Sequence, residues 1–135
     1  MKKNRNIVLI TGGAGFIGAA VSEEMAQLNS DLILVDINKK NLDTLKNKLC
    51  SKYDCKVDVF NCDMSNTNEL SNLVSKISNK YERIDTIINS VGMVGTDKMK
   101  GWNTSFDNQD IEAWQKCLDI NLSSIFFLIQ KLYKK

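Results

Sequence analysis

The sequence predicts an α/β fold, a doubly wound parallel sheet with helices on both faces. Short apolar runs of strand length alternate with longer segments of helical periodicity. One helical segment separates each strand from the next, and connections of that kind give right-handed crossovers between parallel strands. With 135 residues the chain has the size of a single domain, which we place at residues 1–135.

Four short segments are predicted strands. The continuous apolar runs Ile7–Ile10, Leu32–Val35 and Ile84–Val91 are typical of strands buried on both faces. The segment Val57–Phe60 alternates apolar and polar residues instead, which indicates an edge strand or one with a wetter face. A last helix is predicted from about Asn108 to the end of the chain.

The segments between the strands each carry one apolar helical stripe. The stripes consist of Ile17, Val21, Met25 and Leu28, then Leu42, Leu45 and Leu49, then Leu70, Leu73, Val74 and Ile77. Asn38 and the cluster Ser65–Thr67 are predicted to cap the second and third helices. The last helix is apolar nearly all round at Ile125–Ile129, which predicts burial on more than one side.

The composition excludes several classes of site. With 18 basic and 16 acidic residues, the net charge of +2 is too small to indicate binding to nucleic acid or to an anionic membrane. Without histidine there is no Ser-His-Asp triad and no His-containing zinc motif. The four cysteines never form C-x-x-C, so we expect no metal site. No apolar run reaches the length of a signal-peptide core or a membrane span, so we expect a cytoplasmic protein.

A glycine-rich segment, Thr11–Gly18, joins the first predicted strand to the first helix. Its glycines allow a tight turn and close approach to a ligand, and the helix start offers free N–H groups to a pyrophosphate. A plain turn is the alternative interpretation. A P-loop is excluded because Ala19 and Ala20 stand where that motif needs Lys and Ser or Thr.

Two carboxylates follow predicted strands. Asp36, at the end of the second, can accept hydrogen bonds from the ribose hydroxyls of an adenosine and would repel a 2′-phosphate, which favours NAD over NADP. The adjacent Lys39 and Lys40 would weaken that preference. Asp63, after the third strand, can accept from the adenine amino group. Either carboxylate can alternatively be a cap of the helix that follows it.

Together these residues resemble the short-chain dehydrogenase/reductase family, and the resemblance covers essentially the whole chain. Thr11, Gly12, Gly15 and Gly18 match the T-G-x-x-G-x-x-G fingerprint of its extended members, with Phe16 where classical members have the middle glycine. The resemblance is to the amino-terminal half of the family. It implies a Rossmann-type sheet in the order 3-2-1-4, truncated after about four strands and the following helix.

Two later segments add to the resemblance. Asn89–Gly92 is similar to the family's N-N-A-G, and Asn121, seven residues after Trp114, is similar to the asparagine of its W-x₆-N segment. That match implies that Asn121 kinks the helix and holds a water of the proton relay, whereas a surface asparagine is the alternative. The resemblance implies contacts to NAD by Thr11, Gly12, Gly15, Phe16, Ile17, Gly18, Asp36, Ile37, Asp63, Met64, Asn89, Val91 and Gly92.

The family's catalytic Tyr-x₃-Lys motif is absent from these 135 residues. The resemblance therefore implies the NAD-binding portion of an enzyme that transfers hydride between NAD(P) and a hydroxyl or carbonyl substrate, such as a sugar or nucleotide-sugar. It also implies a homo-oligomer formed through the carboxyl-terminal helix. The long irregular segment Gly92–Asp107 is, from its length and composition, either a substrate-facing loop or a solvated one. A non-catalytic dinucleotide-binding module remains an alternative. So does an S-adenosylmethionine-dependent methyltransferase, although Thr11 stands where such enzymes usually carry an acid.

Overall fold

The computed structural model describes residues 5–93 and 99–135. Four parallel strands form one sheet in the order β3-β2-β1-β4, which confirms the predicted fold class. The strands are β1 Ile7–Thr11, β2 Asp31–Asp36, β3 Val57–Asn61 and β4 Thr86–Asn89. The α-helices are α1 Phe16–Gln27, α2 Lys39–Lys52, α3 Thr67–Lys80, α4 Ile111–Leu118 and α5 Ser124–Leu132.

Side chains of β1 and β2 form the centre of both cores. On one face, Leu9 and Ile33 pack with residues of α3 and α5. On the other face, Ile10 and Leu34 pack with the three leucines predicted for α2. Because successive residues of a strand point to opposite faces, two fully apolar strands can anchor two helical layers at once.

The two outer strands are less buried than the inner pair. Strand β3 lies at one edge of the sheet, as its alternating pattern predicts. Strand β4 is shorter than the predicted run 84–91, and only its two central isoleucines are half-buried, while Thr86 and Asn89 are exposed. The prediction that this run is buried on both faces is wrong because, among the described residues, β4 pairs with β1 alone.

The predicted caps of α2 and α3 are both present. The side chain of Asn38 accepts a hydrogen bond from the N–H of Asn41, and that of Asn66 accepts from the N–H groups of Asn68 and Glu69. Each cap therefore satisfies N–H groups that the first helical turn leaves without a partner.

Helix α1 buries its predicted apolar stripe only in part: Val21 and Met25 pack half-buried against the core, but the fully buried residues of the helix are small ones. Gly18, Ser22 and Ala26 face the sheet, whereas Ile17 and Leu28 are each 68% exposed. The Ser22 hydroxyl donates to the carbonyl of Gly18, which satisfies it inside the interface. Small residues at i, i+4 and i+8 allow this helix to lie close to the strands, and that close approach leaves no room for a large side chain on this face.

The last predicted helix is interrupted. A 3₁₀ turn at Phe106–Asn108 precedes α4, and a π-helical turn at Asp119–Ser123 joins α4 to α5. Leu128 and Leu132 of α5 are buried, but Phe126 is 65% exposed and Tyr133 is 67% exposed. Burial on more than one side is therefore not seen in this chain. No helix within the described residues has the length and hydropathy needed to cross a membrane.

We expect Ala26→Leu to lower the free energy of unfolding by about 1–3 kcal/mol, because the added atoms must fit between α1 and the sheet. Urea denaturation measures this change. Gln27→Leu, on the exposed side of the same helix, is the matched control and should change stability little. Equal stabilities of the two variants would contradict the close packing of the small-residue face.

Candidate functional site

A pocket of about 590 Å³ opens at the carboxyl ends of the strands. Open α/β sheets bind ligands in this position, at the point where the strand order reverses, here between β1 and β4. Its walls come from the β1–α1 turn, from the segments after β2, β3 and β4, and from the α4–α5 region. The predicted cofactor-binding residues among them are Gly12, Gly15, Asp36, Ile37, Asp63, Met64, Val91 and Gly92.

The glycine turn is tightly enclosed by backbone. Gly12 has a φ of +64°, and a Cβ placed on it would lie 2.7 Å from the nitrogen of Val91. A Cβ on Gly18 would lie 2.0 Å from the carbonyl oxygen of Gly12. Both distances are far below van der Waals contact, so neither position accepts a side chain unless the backbone moves. Gly18 therefore serves the packing of α1 on its own turn, while Gly12 lines the pocket.

The amino end of α1 has no side-chain cap. Its N-cap is Gly15, no acidic residue lies in the first turn, and the side chains of Phe16 and Ile17 are exposed. The N–H groups of this first turn and the positive end of the helix dipole are suited to an anion such as a pyrophosphate. Neither Phe16 nor Ile17 lines the pocket with its side chain, so a contact to a ligand there would be made by backbone.

Thr11 and Asn89 tie the ends of two neighbouring strands together. Thr11 is fully buried, and its hydroxyl donates to the Oδ1 of Asn89 at 3.3 Å. Neither residue lines the pocket. They hold the carboxyl ends of β1 and β4 in register below it.

The Asp36 carboxylate joins the glycine turn to the loop after β2. Its Oδ2 accepts from the N–H of Ala14 at 3.0 Å, and its Oδ1 accepts from the N–H of Asn38 at 2.9 Å. Asp36 does not cap α2, since Asn38 does. A carboxylate offers about four lone-pair positions, so two remain for donors from the pocket. The exposed side chain of Ile37 forms the neighbouring wall.

Asp63 occupies the corresponding position after β3. Its Oδ1 accepts from both the N–H and the hydroxyl of Ser65, at 2.9 and 2.7 Å. Asn66 is the cap of α3, and Oδ2 of Asp63 has no protein partner within the described part of the chain, which leaves it available to a donor in the pocket. Met64 is buried beside it. Burial raises the pKa of the adjacent Cys62 thiol to about 11, so this pocket residue is uncharged at neutral pH.

Asn121 lies in the middle of the π-helical turn and is half-buried, not a surface residue. Its Oδ1 accepts from the N–H of Met93 at 2.7 Å. Its Nδ2 donates to the carbonyl of Met93 at 3.1 Å and to the Sγ of Cys117 at 3.1 Å. Both amide hydrogens are thus used within the protein. The side chain holds the segment after β4 against the α4–α5 region, and Gly92 lies beside it.

Several residues of the pocket were not identified from the sequence. They are Cys62, Ser90, Met93, Met99, Lys116 and Ile120. Lys116 and Ile120 are four residues apart and precede Asn121, so a helical reading of that segment could have placed them on one face. Of the loop predicted to face the substrate, residues 94–98 lie outside the described residues.

Comparisons with known proteins agree with this architecture. A family model described as short chain dehydrogenase matches residues 6–135. The 3-oxoacyl-[acyl-carrier-protein] reductase FabG of Rickettsia bellii is 34% identical over 94% of this chain and 46% of its own length. Sorbose reductase SOU1 of Candida albicans is 26% identical over 96% of this chain and 45% of its own length. The chain spans about half the length of these curated relatives.

A solved structure shares the fold. L-sorbose reductase from Gluconobacter frateurii, complexed with NADPH and L-sorbose, has a TM-score of 0.84 to this chain at 20% identity. The similarity covers 95% of this chain and 46% of that one.

We expect Asn121→Asp to lower the free energy of unfolding by about 1–3 kcal/mol, because the replacement keeps the shape of the side chain but leaves the Met93 carbonyl facing an acceptor. Urea denaturation at neutral pH measures the change. Asn72→Asp, on the exposed face of α3, is the matched control. If both variants are equally stable, the side chain of Asn121 does not hold the segment after β4.

Proposed function

The chain belongs to the short-chain dehydrogenase family, and from this premise we propose that its pocket binds NAD. The chain would then be the NAD-binding portion of an oxidoreductase that transfers hydride between NAD and a hydroxyl or carbonyl substrate. A sugar or nucleotide-sugar is the proposed substrate class, which the extended-type glycine turn and the similarity to a sorbose reductase support.

The shape of the glycine turn fits a dinucleotide. Gly12 and Gly18 keep side chains out of the turn, and the uncapped start of α1 offers N–H groups to the two phosphates. The nicotinamide ring supplies the hydride-transfer chemistry when the cofactor is bound. The chain's own part is to bind and orient: the turn holds the phosphates, Asp36 the adenosine ribose, and Asp63 with Met64 the adenine.

The position of Asp36 is the observation that carries the preference for NAD. Its carboxylate lines the pocket and is held by two backbone N–H groups, so it cannot turn away from a ligand without losing both. Two ribose hydroxyls can donate to its remaining lone pairs. A 2′-phosphate would bring negative charge against it in a partly dehydrated site, which is unfavourable. Lys39 and Lys40 begin α2 nearby and are exposed, so solvent screens their opposing effect.

A cytoplasmic location completes the proposal. All four cysteines carry free thiols, and the thiol of Cys50 is exposed. Free thiols are typical of a reducing compartment.

We expect the purified chain to bind NAD more tightly than NADP in isothermal titration calorimetry. Asp36→Asn should lower the ratio of the NADP to the NAD dissociation constant about tenfold, because the substitution keeps an acceptor but removes the charge that repels a 2′-phosphate. Asp43→Asn, on the exposed side of α2, is the control and should retain it.

Two outcomes would count against the NAD proposal. An unchanged ratio of NADP to NAD dissociation constants in Asp36→Asn would reject the role of Asp36. Binding of S-adenosylmethionine but not NAD would reject the dinucleotide site altogether.

We also propose that the α4–α5 region associates with a second copy of the chain. It exposes a stripe of large apolar side chains along one side, consisting of Trp114, Leu122, Phe126, Ile129 and Tyr133. Contiguous exposed apolar surface of this kind is typical of protein interfaces.

We expect the chain to sediment as a dimer or larger assembly at micromolar concentration, and Phe126→Glu to shift it to monomer. Gln27→Glu adds the same charge on an exposed site of α1, which packs on the opposite face of the sheet from α5, and should leave the assembly intact. Sedimentation velocity distinguishes the species. A wild-type chain that remains monomeric at high micromolar concentration would contradict the proposed interface.

A further inference from the structure

The edge strand β3 ends in an amide side chain that the cofactor motif does not include. Asn61 donates from its Nδ2 to the carbonyl of Asp36 at 3.1 Å and to the carbonyl of Ile37 at 2.7 Å. The residue is exposed, so no surrounding side chains enclose it. Its two donor hydrogens thus hold two consecutive carbonyl groups of the loop that forms the Asp36 side of the pocket.

The backbone hydrogen bonds between β2 and β3 end at the Asp36 carbonyl, and the side chain of Asn61 bonds to the carbonyl that follows. In the sheet register Asp36 pairs with Asn61, and the N–H of Cys62 donates to the Asp36 carbonyl at 3.1 Å. The carbonyl of Ile37 lies one residue beyond that ladder and, within the described contacts, accepts from Asn61 alone. The side chain of Asn61 therefore extends the connection between the strands by one residue into the loop.

One planar peptide unit connects Asn61 to the Asp36 carboxylate. The carbonyl of Ile37 and the N–H of Asn38 are the two ends of the same peptide group, which is rigid. Asn61 holds the carbonyl end at 2.7 Å, and the N–H end donates to Oδ1 of Asp36 at 2.9 Å. Because the peptide cannot twist internally, fixing the direction of its carbonyl also fixes the direction of the N–H that holds the carboxylate.

Packing does not fix this peptide instead. The side chain of Ile37 is 66% exposed and Asn38 is exposed, so few side-chain contacts restrain the loop between β2 and α2. Loops with few buried apolar contacts open easily unless hydrogen bonds hold them. Asn61 supplies two such bonds from the neighbouring strand, which is itself hydrogen-bonded to β2.

We propose that Asn61 is a positioning residue for the adenosine ribose, and that it sets both the affinity for the adenosine end of the cofactor and the discrimination between NAD and NADP. This inference rests on the proposed NAD site. Asn61 acts through the 37–38 peptide on Asp36, which is the group that meets the ribose hydroxyls. A loosened Asp36 would accept those hydroxyls less well and repel a 2′-phosphate less strongly.

The test compares Asn61→Ala and Asn61→Asp with wild type. Asn61→Asp keeps the shape but replaces the donor by an acceptor facing two carbonyls. Asn47→Ala, on the exposed side of α2, is the control. Calorimetry measures dissociation constants for NAD, NADP and ADP-ribose. Amide hydrogen exchange of Asn38 in the cofactor-free chain reports on the peptide itself, and thermal unfolding checks the fold.

We expect Asn61→Ala to weaken NAD binding about 3- to 10-fold. The affinity for ADP-ribose should fall by the same factor, since the lost restraint acts on the adenosine half of the cofactor. The affinity for NADP should fall less, so the preference for NAD becomes smaller. Amide hydrogen exchange at Asn38 should become faster. Asn61→Asp should show the same pattern with larger effects, while Asn47→Ala should match wild type.

Three outcomes would overturn the inference. If exchange at Asn38 becomes faster while the ratio of the NAD and NADP dissociation constants stays at the wild-type value, Asn61 holds the loop but does not set the cofactor preference. Unchanged exchange and unchanged affinities would show that it holds nothing. If the wild-type chain binds neither NAD nor NADP, the proposed function fails and the cofactor role of Asn61 fails with it. The exchange measurement, made without cofactor, would still show whether Asn61 holds the loop.

Discussion

The close approach of helix α1 to its own preceding turn determines most of the pocket. Position 18 must lack a side chain because a Cβ there would reach to 2.0 Å from the Gly12 carbonyl. Gly12 in turn lies against the backbone of Ser90 and Val91, so the turn contacts the end of β4. On its other side the turn donates from Gly13 to the carbonyl of Val35 and from Ala14 to Asp36. One turn thus joins the ends of β1, β2 and β4.

The pocket is therefore largely formed before any ligand arrives. Asp36 is held through Ala14 and Asn38, Asp63 through Ser65, and the segment after β4 through Asn121. The Asp36 and Asp63 carboxylates each use part of their hydrogen-bonding capacity on the protein and keep part for a ligand. Such preorganisation lowers the entropic cost of binding, because few groups must be ordered when the ligand enters.

The sheet and the site were predictable from the sequence to different degrees. Continuous apolar runs identified β1 and β2, since both faces of these strands are covered, and Asn38 and Asn66 were recognisable caps. The buried face of α1 was predictable only in part from apolar spacing, which identified Val21 and Met25, because periodicity assumes that large side chains mark the interior. In α1 the short distance between helix and strands determines which residues are buried. Because Gly18 allows the helix to lie close, the small residues Ser22 and Ala26 are buried. Asn61 was missed because its role depends on hydrogen bonds to the carbonyls of Asp36 and Ile37, which are distant in the sequence.

The π-helical turn explains how one helical region serves both the pocket and an apolar exterior. In a regular helix of about 100° per residue, Trp114 and Leu122 would stand about 80° apart around the axis. A π turn accommodates one extra residue, which leaves the two about 20° apart and so aligns Trp114 with the stripe formed by Leu122, Phe126 and Tyr133. Asn121, at the centre of the same turn, lies beside this stripe and hydrogen-bonds to Met93. A straight helix with this sequence would separate Trp114 from the stripe, so the inserted residue that accompanies the contact of Asn121 with Met93 also makes the outer face continuous.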